Sequence, residues 1–342
     1  MRDINFRNEL DHIPPGLLDV AAADIQTLLP GPTLMHLAGR REQPLFVSVL
    51  LHGNETTGLH AVQMLLKKYV HRPLPRALSI FVGNVHAARA GLRRLDNQVD
   101  YNRIWPGTEH SSRPETAMAQ WVVEEMVKRN VFTSIDVHNN TGLNPHYACV
   151  NRLDCRSLQL AAMFGRLCIY STHPRGTQTA AFAEICPAVT LECGKPGHAY
   201  GAEHAFDYLD GCLHLDHIPD QPVASHDLEL YESVAQVFVS PGVDFGFAND
   251  SADLNFMSDL DRLNFRPVPA GFVLGQVRTG HVPLRVFNGS GADVADYYFR
   301  VEDGQLLLTK ALMPSMLTLD ELVIRQDCLG YLMERRVAEG QE

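Results

Sequence analysis

Apolar runs and helical periods alternate along the chain up to about residue 220. Leu45–Leu51 (LFVSVLL) is a continuous apolar, β-branched run, the pattern of a strand covered on both faces. Residues 57–70 (TGLHAVQMLLKKYV) carry helical periodicity and a basic last turn. Further strands are predicted at 78–85, 131–137 and 188–193, and further helices at 115–128, 158–166 and within 202–213. Strands alternating with helices predict an α/β domain around a mainly parallel mixed sheet flanked by helices. The first forty residues, broken by Pro14-Pro15-Gly16 and Pro30-Gly31-Pro32, read as a lead-in.

After about Asp220 the rhythm changes to short β-rich pieces at 235–239, 272–277, 284–287, 297–301 and 305–309, separated by Gly/Pro turns. This predicts a smaller β-rich C-terminal domain. The expected division is 1–222 and 223–342. Thr318-Leu-Asp-Glu321 has the form of a capping box opening a last helix.

Composition narrows the partners. Of 342 residues, 29 are Lys or Arg and 40 are Asp or Glu, a net charge of −11. With no basic run, nucleic acid and anionic membrane are excluded as expected partners. No apolar stretch reaches bilayer length, and the N-terminus has no apolar signal core, so a cytoplasmic location is expected. Seven cysteines without a Cys-x-x-Cys pair read as reduced, buried thiols.

Candidate chemistry collects where predicted strands end. His52-Gly-Asn-Glu55 follows the first strand and leads into a helix. A tight turn lets His52 and Glu55 reach one ion; otherwise the two cap the helix. His138 closes the strand of Ser134-Ile-Asp-Val-His138, far along the chain. With His52 and Glu55 it makes a zinc set of two imidazoles and a carboxylate, which leaves a coordination position for water. Alone, it would be a strand-end histidine on a backbone group. Glu192, in Val189-Thr-Leu-Glu192, suits a general base if the strand rim buries it; a solvated acid is the plainer reading. Alternation turns neighbouring Cys193 to the other face, into the core. In Asp100-Tyr-Asn102-Arg103, the Asn-Arg pair offers forked donors to a carboxylate or oxyanion, and Asp100 can orient an imidazole. A structural salt bridge in a surface loop is the rival account.

His52-Gly-Asn-Glu55, Asp100-Tyr-Asn-Arg103, Asp136-Val-His138 and Leu191-Glu192-Cys-Gly194 occur in that order. In this the sequence resembles the succinylglutamate desuccinylase/aspartoacylase branch of the zinc carboxypeptidase superfamily, over roughly residues 45–200. The resemblance implies a zinc-carboxypeptidase-like fold and one zinc ion on His52, Glu55 and His138. It implies Glu192 as general base, Arg103 as the group that polarises the carbonyl or holds a substrate carboxylate, Asn102 beside it, and Asp100 behind His52. It further implies an arginine upstream, with Arg94 nearest and Arg93 competing, and a tyrosine from the second domain, Tyr298 or Tyr297. Arg175 is a further candidate in a loop that departs from the family pattern. The implied activity is hydrolysis of an amide bond in a small anionic N-acyl amino acid. The alternative is a carboxypeptidase acting on a peptide or peptide-tagged protein, with a homodimer left open.

Overall fold

The structure, a computed structural model, describes residues 7–110, 112–248 and 251–336. These divide into two compact units. The first comprises the chain to Asn139 and His146–Glu229; the second comprises Asn140–Pro145 and the chain from Leu230.

The strands of the first unit are β1 (Asn8–Leu10), β2 (Thr33–Leu37), β3 (Gly39–Val49), β4 (Leu74–Val82), β5 (Thr133–His138), β6 (Tyr147–Val150), β7 (Leu167–Tyr170) and β8 (Ala188–Glu192). Its helices are α1 (Thr57–Tyr69), α2 (Val85–Ala90), α3 (Pro114–Lys128), α4 (Cys155–Phe164), α5 (Gln178–Phe182) and α6 (Ala199–His214). The sheet runs β1-β2-β4-β3-β5-β8-β6-β7.

The sheet is mixed, which corrects the expectation of a mainly parallel one. Strands β4, β3, β5 and β8 are parallel neighbours, but β2 joins β4 and β6 joins β8 antiparallel. An apolar run reports burial on two faces and says nothing of strand direction. The strands that create the antiparallel joins are short and were not read as strands. In particular, β1 and β2 occupy the stretch expected to be a lead-in.

Alternation sorts the two faces. On one, Phe46 and Phe81 pack with Trp105, Phe182 and the apolar stripe of α3, Met118, Val122 and Met126. On the other, α1 lies against Val49 and Val137 so closely that a Cβ at Gly58 would meet Val49 Cγ1 at 2.9 Å and Val137 Cβ at 3.0 Å. Arg76, near the start of β4, is buried, with no acidic partner among the described residues. Its guanidinium lies 3.5 Å from the Phe132 ring centroid and donates to the carbonyls of Gln43 (3.0 Å) and Leu215 (2.8 Å).

The second unit is β-rich. Antiparallel strands β9 (Glu229–Val239), β13 (Leu284–Asn288), β16 (Met313–Ser315) and β17 (Gly330–Arg335) make one group, with β9 between β13 and β17. A second sheet runs β10 (Phe245–Phe247), β11 (Leu254–Phe256), β12 (Val273–Val277), β15 (Gln305–Leu308) and β14 (Phe299–Glu302). The strand expected at 297–301 is instead a helical turn, α7 (Ala295–Tyr298), leading into β14. The last helix, α8 (Glu321–Gln326), is capped by Asp320, whose side chain accepts from the Val323 N–H, and not by Thr318.

Candidate active site

Three adjacent parallel strands, β3, β5 and β8, bring their C-terminal ends to one rim. That is where open α/β sheets gather ligands.

Beyond β3 the chain turns sharply, with Leu50 at φ 54°. At Gly53 an added Cβ would lie 2.1 Å from the backbone nitrogen of Ala88, so only glycine lets this turn sit against α2. The turn puts His52 Nδ1 2.7 Å from Glu55 Oε1. His138, the last residue of β5, places its Nδ1 2.7 Å from Glu55 Oε2. The Asn139 N–H also donates to Oε2, at 3.1 Å. All three side chains are buried.

Each imidazole is held from behind. His52 Nε2 lies 3.0 Å from Asp100 Oδ1, and His138 Nε2 lies 2.6 Å from Asp136 Oδ2. Arg93 grips the other oxygen of Asp100 through Nε (3.2 Å) and Nη2 (3.0 Å), and its Nη1 is 3.6 Å from Glu55 Oε1. The electrostatics follow. Desolvation works against charge on both imidazoles, but the facing carboxylates outweigh it. His52 is raised above the usual histidine range and His138 well above it. Burial likewise opposes charge on Glu55, yet the two imidazoles hold it below the usual carboxylate range.

The donor set fits a metal ion. Ligand atoms of His52, Glu55 and His138 all lie within 4.8 Å of one another, the only such group of three or more among the described residues. Two imidazole nitrogens and a carboxylate, each imidazole braced by an acid, is a donor set that zinc accepts.

Glu192 ends β8 as the register partner of His138. Parallel register partners stand on the same face about 4.8 Å apart, so Glu192 borders the cluster, and it too is buried. Asn102 has its Nδ2 3.3 Å from His138 Nε2, while its Oδ1 accepts from the Gln178 N–H at 2.9 Å. The half-buried Arg103 sends Nη1 back to the Asn102 carbonyl at 2.8 Å.

The other expected residues have their own surroundings. Arg94 donates to the Gln98 carbonyl in its own loop (3.1 Å); Arg93 is the arginine at Asp100 and Glu55. Tyr298 is packed within the second unit's apolar core, and Tyr297 is exposed with Lys310 Nζ on its hydroxyl. Arg175 is exposed on the turn before α5.

Sequence reasoning assigned no role to Asp136, Asn139 or Gln178. Asn139 ties the rim together: Oδ1 accepts from the Thr57 N–H at the start of α1 (3.2 Å), and Nδ2 donates to the Gly194 carbonyl (2.7 Å). The available signal was polar residues crowding the end of an apolar strand, Asp136 to Asn140.

Residues 43–211 match the family model described as the succinylglutamate desuccinylase/aspartoacylase catalytic domain. They belong to that family. The matched segment holds His52, Glu55, Asp100, Asn102, Arg103, His138 and Glu192. A succinylglutamate desuccinylase from Burkholderia lata is 27% identical over 192 residues, 48% of this chain and 52% of that protein. The chain thus spans about half the length of the curated relatives it matches. Among solved structures, the succinylglutamate desuccinylase of Chromobacterium violaceum superposes with a TM-score of 0.56 at 17% identity, covering 87% of each chain. Murine aminoacylase 3 superposes at 0.52 and 15% identity, covering 87% of this chain and 97% of its own. These two likenesses are of fold.

Proposed function

We propose that the chain is a zinc-dependent hydrolase of the amide bond in a small anionic N-acyl amino acid. The observation that carries this reading is the buried His52–Glu55–His138 cluster with Glu192 on the adjacent strand end. His52, Glu55 and His138 would hold one zinc ion. Zinc bound there supplies a Lewis acid for the scissile carbonyl and lowers the pKa of a water molecule.

The protein's own groups do the rest. Glu192 takes the proton from the attacking water and returns it to the departing amine nitrogen. Arg103 and Asn102 hold the substrate carboxylate and offer donors to the developing oxyanion. Asp100, gripped by Arg93, keeps His52 in place. These groups all belong to the proposed catalytic domain, 1–222. Cys149, Cys155, Cys168, Cys186, Cys193 and Cys212 are free thiols, which suits a reducing compartment such as the cytoplasm.

The test is amine release from a panel of N-succinyl, N-acetyl and other N-acyl amino acids and short peptides, by zinc-loaded protein with and without chelator. Chelator-sensitive release from a small acylated amino acid supports the reading. Release from peptides alone would transfer the site to a carboxypeptidase activity. A protein that binds no zinc would end the proposal.

A further inference from the structure

Within the apolar run of β3, one side chain is polar: Ser48. It is fully buried, as is Asp136 on the neighbouring strand. A hydroxyl and a carboxylate inside a sheet core are strongly disfavoured unless each finds a partner. Here they find each other. Ser48 and Asp136 are register partners across β3 and β5. Ser48 Oγ donates to Asp136 Oδ1 at 2.6 Å, and Asp136 Oδ2 accepts from His138 Nε2 at 2.6 Å. Both carboxylate oxygens are thereby engaged, and rotation of the carboxylate would break two short hydrogen bonds at once.

We infer that Ser48 and Asp136 form a positioning pair that locks the His138 ring, with Nε2 carrying a proton towards the sheet and Nδ1 turned to Glu55. The consequence for metal binding rests on the zinc reading above; the ring orientation does not. His52 is held differently. Its acid, Asp100, sits in a loop, is 14% exposed, and is steadied by a guanidinium. His138 is set by strand register through its shorter contact, with Asn102 Nδ2 farther from Nε2 at 3.3 Å, whereas the acid behind His52 comes from a loop.

Three substitutions separate this role from simple core packing. Asp136→Asn keeps shape and the Ser48 contact but can place an amide donor against Nε2, driving the ring proton to Nδ1, where it competes with a metal. Ser48→Ala leaves Asp136 charged but free to turn. Ser79→Ala is the control, another buried strand serine, whose Oγ meets His36 Nδ1 at 2.8 Å. Zinc affinity, read by competition with a chromophoric chelator, should fall about tenfold or more in Asp136→Asn. It should fall less in Ser48→Ala, recover in Ser48→Thr, and stay unchanged in Ser79→Ala.

Nitrogen-15 NMR of the wild-type histidine rings needs no variant. The His138 Nε2–H should appear as a slowly exchanging ring proton with or without zinc, and Asp136→Asn should lose it. Absence of that signal in the wild type overturns the inference. So do folded Asp136→Asn and Ser48→Ala proteins with wild-type affinity. If the wild type binds no zinc, the functional proposal falls, while the ring signal of the metal-free protein still decides the orientation.

Discussion

Zinc binding to this site should be steeply pH-dependent, because both histidine ligands face carboxylates. In the metal-free protein each ligand imidazole lies between two carboxylates, His52 between Glu55 and Asp100, His138 between Glu55 and Asp136. Both pKa values are raised, so each ring keeps its second proton to a higher pH than an ordinary histidine. Glu55 is already ionised, because its pKa is lowered. A metal ion must therefore displace one Nδ1 proton from each ring and none from the glutamate. Linkage then gives a slope of about two in log K against pH below the raised histidine values, roughly a hundredfold in affinity per pH unit, or about 2.7 kcal/mol. Above those values the slope should flatten. Titration calorimetry in two buffers of different ionisation heat, near pH 6.5, should count more than one proton released per zinc, rising towards two at lower pH. Chelator competition from pH 5.5 to 8 should trace the same slope. A proton count near zero, with affinity flat over that range, would mean that the imidazoles are neutral without metal and that the flanking carboxylates do not govern them.

Three further outcomes are expected. Glu192→Gln should cut turnover by about two to four orders of magnitude while zinc content, measured by metal analysis, stays at one per chain; full rate in this variant would remove Glu192 from the chemistry. Arg76→Met should destabilise the fold by about 2–3 kcal/mol in urea titrations with zinc affinity unchanged. It loses two charge-assisted hydrogen bonds of about 1.5–3 kcal/mol each and a desolvated cation–π contact with Phe132 of about 1–2 kcal/mol, offset by relief of the desolvation, about 3 kcal/mol, that pulls the Arg76 pKa to about 10, and a variant as stable as the wild type would contradict this balance. Gly53→Ala should lose zinc binding through displacement of the turn carrying His52 and Glu55, and a folded variant of normal affinity would show that the turn can retreat from α2.

The elements visible in the sequence were those with long, uniform patterns. Helix α1 at 57–69, α3 at 114–128 and strand β8 at 188–192 fall within a residue or two of expectation. Three-residue β1 and four-residue β6 and β7 are too short to show a period, and with β6 went one of the antiparallel joins. At the site, residue types at strand ends were legible because the sheet brings those ends together. What could not be read was orientation. Adjacent Arg93 and Arg94 are alike in sequence, and only the fold turns one to Asp100 and the other to a loop carbonyl. Tyr298 is a tyrosine that the sequence alone leaves exposed or buried, and the fold packs it into the second unit's apolar core.

The pairing of Ser48 with Asp136 also bears on how such a chain can evolve. The sheet core is where a protein ordinarily accumulates stability, yet here two of its central positions are occupied by a hydroxyl and an acid. Replacing a buried polar pair with apolar side chains of similar volume is often neutral or stabilising. Selection for heat resistance alone would therefore drift towards valine and leucine at these positions. A sturdier descendant of this protein would be obtained most readily by surrendering the orientation of its own histidine, so that durability and activity compete for the same two residues.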